Sequence, residues 1–395
     1  MVITSEKKNI KWDYFVGIVF IFTTGSIIWH GFLSSAICFS FYFLIALINL
    51  YINEDKKAIR FNYSFFYCIY IILLSIFGSL MFYDTYEENS MIGYIVSMIA
   101  SYLIISKYNF YYFRDVLTNI IYYIVLWGIP VFVLTEFELL PLTTLNIDDG
   151  KEVFLIYSIG WPAHFHRFAG IWHEPGACQI VLNVIIILHF NEFITWKWNK
   201  GQLKKLLVIF IGILFTMSTM GYFVIMLFFV FCICRIRFSG KFRNIFKLTI
   251  ITVSLLIVPL LYYSPVVQDK LFPENEVTEM TSKGMRTIEN LAMLAMFLER
   301  PVWGWGLGSR SQLYQFIQRD NIGCSNGILY MMSAWGLMWL IPFLIFTWKA
   351  ICKFSMGISA VVILAIFLLL ECNERYLELP ISFLFLFYFK SYAKS

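Results

Sequence analysis

Long apolar runs alternate with short polar connections along the whole chain. They fall at approximately 12–30, 32–52, 61–83, 91–106, 116–135, 177–195, 206–218, 220–234, 248–264, 326–348, 354–371 and 377–389. A helix crossing the hydrocarbon core of a bilayer takes about 20 apolar residues, and most of these runs approach that length. Lys7, Lys8 and Lys11 flank the first run, and no small-residue cleavage site follows it, so it reads as a span and not a removed signal peptide. The stretch 206–234 is long for one span. Lys204 and Lys205 precede it, and Arg235, Arg237, Lys241, Arg243 and Lys247 follow it. Basic flanks belong on the cytoplasmic side. The chain is therefore expected to enter and leave here, turning near Ser218-Thr219-Met220-Gly221. The predicted fold is an all-α polytopic membrane protein: one membrane domain over 1–395, about twelve spans, both termini inside.

Composition agrees with this pattern. The chain of 395 residues is 60% hydrophobic and only 14% charged, with a mean hydropathy of +0.74. Soluble domains run at roughly 45–50% apolar and about 25% charged. A soluble enzyme and a nucleic-acid-binding domain are both excluded by these values. The formal net charge of +5 is no basic patch. Most Lys and Arg lie in the segments assigned to the inside, and most acids lie on the other side. The spans themselves hold almost no ionisable groups, which argues against an ion-coupled transporter or a flippase. His189 and Glu192 fall near the inner end of the sixth span and read as interfacial.

Two connections are long, 136–176 and 265–325, the second partly helical, and both are assigned outside. Long loops in a compact protein are usually functional, so the chemistry is expected there. The first ends in Trp161-Pro162-Ala163-His164-Phe165-His166-Arg167, running on to Trp172-His173-Glu174-Pro175. His164, His166 and His173 suggest a metal site. However, an HExxH motif is lacking, and Pro175 interrupts any helix that would present a second ligand. No metal or other cofactor is expected. Arg167, a planar permanent cation, suits phosphate oxygens. Glu174 and Pro175 suit the start of a helix. In the second loop, Arg286 leads into an amphipathic run, 287–298, with Leu291, Leu294 and Ala295 on its apolar side. Arg300, a Gly-Trp-Gly segment and Arg310 follow. These glycines permit a tight backbone path, with amides available to an anion. Several arginines in outside loops fit a polyanionic ligand. Trp161, Trp172, Trp303 and Trp305 read equally as sugar platforms or as interfacial anchors.

The segment RFAGIWHEPGA at 167–177 resembles the arginine–glycine–glutamate–proline signature of bacterial O-antigen polymerases of the Wzy type. Paired short spans around STMG, Arg286 before a helix, RPVWGWGLGS at 300–309 and SNGILYMMSAWG at 325–336 resemble the remainder in order. The resemblance covers mainly residues 160–340 and extends to the superfamily shared with O-antigen ligases. It implies an inner-membrane glycosyltransferase active at the periplasmic face. Such an enzyme passes a growing glycan from undecaprenyl pyrophosphate to the non-reducing end of a lipid-linked repeat unit. Alongside the bilayer, a chain-length regulator and a flippase are the implied partners. Ligases of the superfamily carry a histidine where this chain has Ser325, which favours polymerase. A ligase, another surface or capsular polysaccharide polymerase and a polysaccharide flippase remain the alternatives. Glycosyl transfer from a pyrophosphate needs cations for the leaving group and a base for the acceptor hydroxyl. Arg167 and Arg286 are the expected pyrophosphate ligands, with Arg300 or Arg310 assisting. Glu174, or less favourably His173, is the expected base. Gly170, Trp172, Trp305 and Asn326 complete the expected substrate contacts.

Overall fold

The computed structural model describes residues 9–31, 34–52, 62–81, 88–145, 151–160, 167–195, 197–235, 282–306, 326–355, 357–387 and 389. The chain is mostly helical. Three of the described helices are long and apolar enough to cross a membrane: Tyr63–Met81, Phe110–Glu136 and Gly327–Ile351. The expected span at 248–264 lies outside the described residues.

The first apolar run forms two pieces, α1 (Ile10–Thr23) and α2 (Ile27–Gly31). The break comes at Gly25, whose φ of 74° favours glycine. Thr23 and Thr24 turn their hydroxyls back onto the Val19 and Phe20 carbonyls. The backbone groups freed by the break bond to a distant segment: Ile27 N–H donates to Ile171 O at 2.7 Å, and Gly25 O accepts from His173 N–H at 3.3 Å. Helices α3 (Ser35–Ile52), α4 (Tyr63–Met81), α5 (Glu88–Ile105) and α6 (Phe110–Glu136) follow. Asn109 caps α6, accepting from the Tyr111 and Tyr112 amides. This helix starts before the expected span and carries Arg114 and Asp115 near its first turn. Arg114, 3% exposed, pairs with Glu192 at 2.6 Å, and fully buried His189 contacts Thr118 Oγ1 at 2.9 Å. His189 and Glu192 thus belong to a packed polar knot.

The first long connection departs from the all-α expectation. It holds a small antiparallel sheet, β1 (Thr143–Leu145), β2 (Lys151–Phe154) and β3 (Tyr157–Gly160), in that order. Val153 faces Ser158 across the second pair. The sheet is seated on α6 through Tyr157, whose hydroxyl donates to Ile124 O at 3.2 Å. Ser158 N–H then donates to Gly170 O at 2.8 Å, tying the sheet to the segment that pairs with the α1 break.

At the centre runs α7 (Pro175–Leu188), with every residue from Ala177 to Leu188 buried. After α8 (Phe190–Thr195), the 206–234 stretch forms two helices, α9 (Lys200–Phe215) and α10 (Thr219–Arg235), joined at Thr216–Ser218. The second long connection contributes α11 (Ser282–Glu299). Its inward face is Ala292, Met293 and Met296, whereas Leu291, Leu294 and Leu298 are exposed. A run with two apolar stripes allows either face inward, and the stripe with the flexible methionines is the one packed.

Helix α12 (Gly327–Ile351) is interrupted at Gly336, with φ 62° and ψ −153°. The interruption is filled by 301–306. Leu337 and Met338 amides donate to Pro301 and Val302 carbonyls, and Trp305 and Gly306 amides donate to Ser333 and Ala334 carbonyls, all within 3.1 Å. The Gly-Trp-Gly amides are therefore spent on the protein and not offered to an anion. Helix α13 (Ile358–Glu371) is the last of the described α-helices. The last apolar run, 377–389, is not the expected twelfth spanning helix. It turns repeatedly, contains a single 3-10 turn at Ser382–Phe385, and is buried from Ile381 to Phe387. Pro380 withholds a donor, and a short apolar run is often buried core and no span. Cys178 and Cys372 are free thiols, while Cys324 lies outside the described residues.

A Cβ at Gly304 would stand 2.4 Å from the Ala334 carbonyl group, and one at Gly357 would meet nothing within 4 Å. Both glycines that close these turns have positive φ. Gly304→Ala is expected to cost on the order of 3 kcal/mol, from strain and overpacking together, and Gly357→Ala about 1 kcal/mol. Thermal unfolding of the detergent-solubilised protein ranks the two, and equal losses would contradict the packing described.

Candidate functional site

A cavity of about 660 Å³ opens where α7 and α10 begin. Four separate stretches of chain line it: Arg167 with Glu174–Gly176, Ser218–Met220 with Phe223, Arg286, and Asn373 with Glu374. The arrangement follows from local rules of helix termination.

The last carbonyls of α9 have no partner within the helix. Phe215 O accepts from Phe168 N–H, and Met217, at φ 47°, turns the chain sharply so that the Thr216 and Met217 carbonyls just past the helix meet Arg167. The Arg167 guanidinium donates through Nε to Thr216 O and through Nη2 to Met217 O, each at 3.0 Å. A cation is favourable at a helix C-terminus, so the residue is fixed from behind while it lines the cavity. Burial lowers its pKa, with Arg286 pulling in the same direction and Tyr222, Glu174 and Glu374 opposing. Ser218 then starts α10, its Oγ accepting from Gly221 N–H at 3.4 Å.

Glu174 occupies the N-cap of α7 with Pro175 in the first turn, yet its carboxylate makes no capping bond. The side chain, 36% exposed, faces the cavity beside His173, whose Nε2 lies 4.0 Å from Glu174 Oε1. The His173 ring is parallel to Tyr376, and its Nδ1 is 3.3 Å from Gly25 O. The α1 break thus sets the position of the residue preceding Glu174. Two helix N-termini, of α7 and α10, converge on the cavity. Their partial positive charge adds to that of the two arginines.

Arg286 reaches in from the first turns of α11. Its Nη2 donates to Glu374 Oε1 at 2.9 Å, with Glu374 13% exposed and Arg286 44%. Sequence reasoning missed Glu374. The signal available was a knot of charge, Glu371, Glu374, Arg375 and Glu378, between two apolar runs. Gly176 explains how the carboxylate gets so close to α7: a Cβ there would meet Glu374 Oε1 at 2.6 Å. Burial raises the Glu374 pKa well above the ordinary carboxylate range, and Glu174 adds to the rise. Arg286 and Arg167 pull against it.

The remaining expected residues stand elsewhere. Gly170, at φ 60°, forms the turn beneath Trp172, which is fully buried. Arg300 stacks over Trp305 at 3.8 Å, and Trp305 Nε1–H donates to Met296 O. Trp303 packs on Phe77 at 4.6 Å. Asn326 caps α12, accepting from Leu329 N–H at 3.0 Å. None of these lines the cavity. Arg310, Trp161, His164 and His166 lie outside the described residues. Among the described residues, no group of three or more His, Cys, Asp or Glu is placed to hold a metal ion. Neither a protein-family model nor a curated protein matches this sequence.

The raised Glu374 pKa has a consequence for stability. Its proton is retained in the folded protein where the unfolded chain has already lost it. The stabilisation associated with it is full below the ordinary carboxylate range and disappears as pH rises towards about 7. The melting midpoint of the wild type should therefore fall across that window, and Glu374→Gln should flatten the fall. Identical pH profiles for the two proteins would rule this out.

Proposed function

We propose that this chain is a membrane glycosyltransferase of the O-antigen polymerase kind. In this reading the chain crosses the bacterial inner membrane many times, with the cavity facing the periplasm. It extends a glycan carried on undecaprenyl pyrophosphate by transfer to a lipid-linked repeat unit, working beside a chain-length regulator and a flippase. One observation carries the proposal. Arg286, more than a hundred residues from Arg167 and Glu174, lines one cavity with them at the starts of two helices.

That constellation suits the chemistry. Breaking a glycosyl–pyrophosphate bond places negative charge on the leaving oxygen. Two guanidiniums and two helix N-termini stabilise such charge, and Arg167 is already fixed by two carbonyls. The acceptor hydroxyl must lose a proton, and carboxylates stand within the same cavity. Ser325, in place of the ligase histidine, favours polymerisation over transfer to lipid A–core.

The test is the lipopolysaccharide banding of a strain whose only copy is altered. Arg167→Ala and Arg286→Ala should each slow extension at least about 100-fold, the scale of removing one transition-state donor. The ladder would then collapse to core plus one repeat at normal protein abundance. Core with no repeat, with lipid-linked polymer accumulating, would instead indicate a ligase. An unchanged ladder in both variants would refute the assignment of the site.

A further inference from the structure

We propose that Glu374 is the base of the reaction and that the donor's pyrophosphate exposes it by displacing it from Arg286. The proposal rests on the reading of the cavity given above. The two cations of the cavity are held differently. Arg167 is locked by two backbone carbonyls at 3.0 Å. Arg286 is 44% exposed near the start of α11, where it meets the Glu374 carboxylate at 2.9 Å and the Asn373 carbonyl at 3.5 Å. Among the described residues its ion-pair partner is therefore a carboxylate that also belongs to the cavity. A pyrophosphate carries more charge than a carboxylate and offers oxygens for bidentate contact with a guanidinium. Once it spans Arg167 and Arg286, Glu374 loses its partner.

What remains is a carboxylate at 13% exposure, wedged against Gly176 and sharing the cavity with Glu174. A desolvated carboxylate beside another binds a proton readily. Glu174 is more open, at 36% exposure. It sustains the proton affinity of Glu374 through its own charge. The step balances as follows. The acceptor hydroxyl oxygen forms a bond to the anomeric carbon, and the bond from that carbon to the pyrophosphate oxygen breaks. The electron pair leaves with the pyrophosphate, which Arg167 and Arg286 hold. The hydroxyl proton passes to Glu374, which releases it to solvent and returns to Arg286 when the lipid pyrophosphate departs. Deprotonation thereby waits for a bound donor.

The experiment pairs two readouts on the full chain: titration of the purified protein with inorganic pyrophosphate, and the polysaccharide ladder in cells. Glu374→Gln removes the competing charge, so it should bind pyrophosphate about tenfold tighter than wild type while forming no ladder. Arg286→Ala should bind more weakly. A Glu374→Gln protein that binds as weakly as Arg286→Ala would reduce Glu374 to a prop for the arginine and overturn the proposal. A normal ladder would overturn it too. Should Glu374→Gln fail to accumulate, Glu374→Asp decides, since a shortened, loosened pair predicts tighter binding and slower extension. Both at wild-type values would again overturn it. Wild-type protein that ignores pyrophosphate would refute the reading of the cavity itself, whereas wild-type binding with a normal Glu374→Gln ladder would refute this inference alone.

Discussion

Backbone groups left open by an interrupted helix must find partners, and among apolar helices water cannot serve. Three such interruptions organise the described structure. The break at Gly25 is closed by 171–173, the break at Gly336 by 301–306, and the end of α9 by Arg167. Each closure draws a connecting segment down onto the helices. The first places His173 and Glu174 at the start of α7. The second anchors the chain directly after α11, the helix that carries Arg286. The third makes the cavity wall out of a side chain. The site is assembled by satisfying these backbone groups, and its charged residues are positioned as a result.

Within the cavity, charge is balanced and not merely accumulated. Arg167 and Arg286 face Glu174 and Glu374, with two helix N-termini tilting the balance towards anions. A cluster of cations alone would repel itself and bind any anion. Two carbonyls hold Arg167, and the Glu374 carboxylate holds Arg286 and makes an anion compete for it, which favours a multiply charged ligand over a weakly charged one. Gly176 is the residue that permits this pairing, because any side chain there would collide with Glu374.

The sequence made much of this legible, and the failures have physical causes. The turn between α9 and α10 could be placed from basic flanks, because topology fixes where the charges must lie. Arg167, Glu174 and Arg286 could be singled out because permanent cations and a Glu-Pro pair in long connections stand out from apolar surroundings. Glu374 could not, since it falls in a short connection and acts through tertiary contacts. The final run, 377–389, was misread because apolarity alone does not distinguish lipid-facing from core-facing residues. The small sheet in the first connection was missed because strands of three or four residues carry little periodic signal. Trp172 and Asn326 looked available for contacts, but one fills the interior and the other serves as a helix cap.

The lacing of 301–306 into α12 has a further consequence. The contact is made by main-chain atoms, and Gly304 and Gly336 are the positions where a side chain cannot fit. Val302 and Trp303 are partly exposed, with Trp303 also packed on Phe77. The lacing therefore constrains the chain at its glycines and main-chain atoms, and leaves the exposed side chain of Val302 free of that constraint.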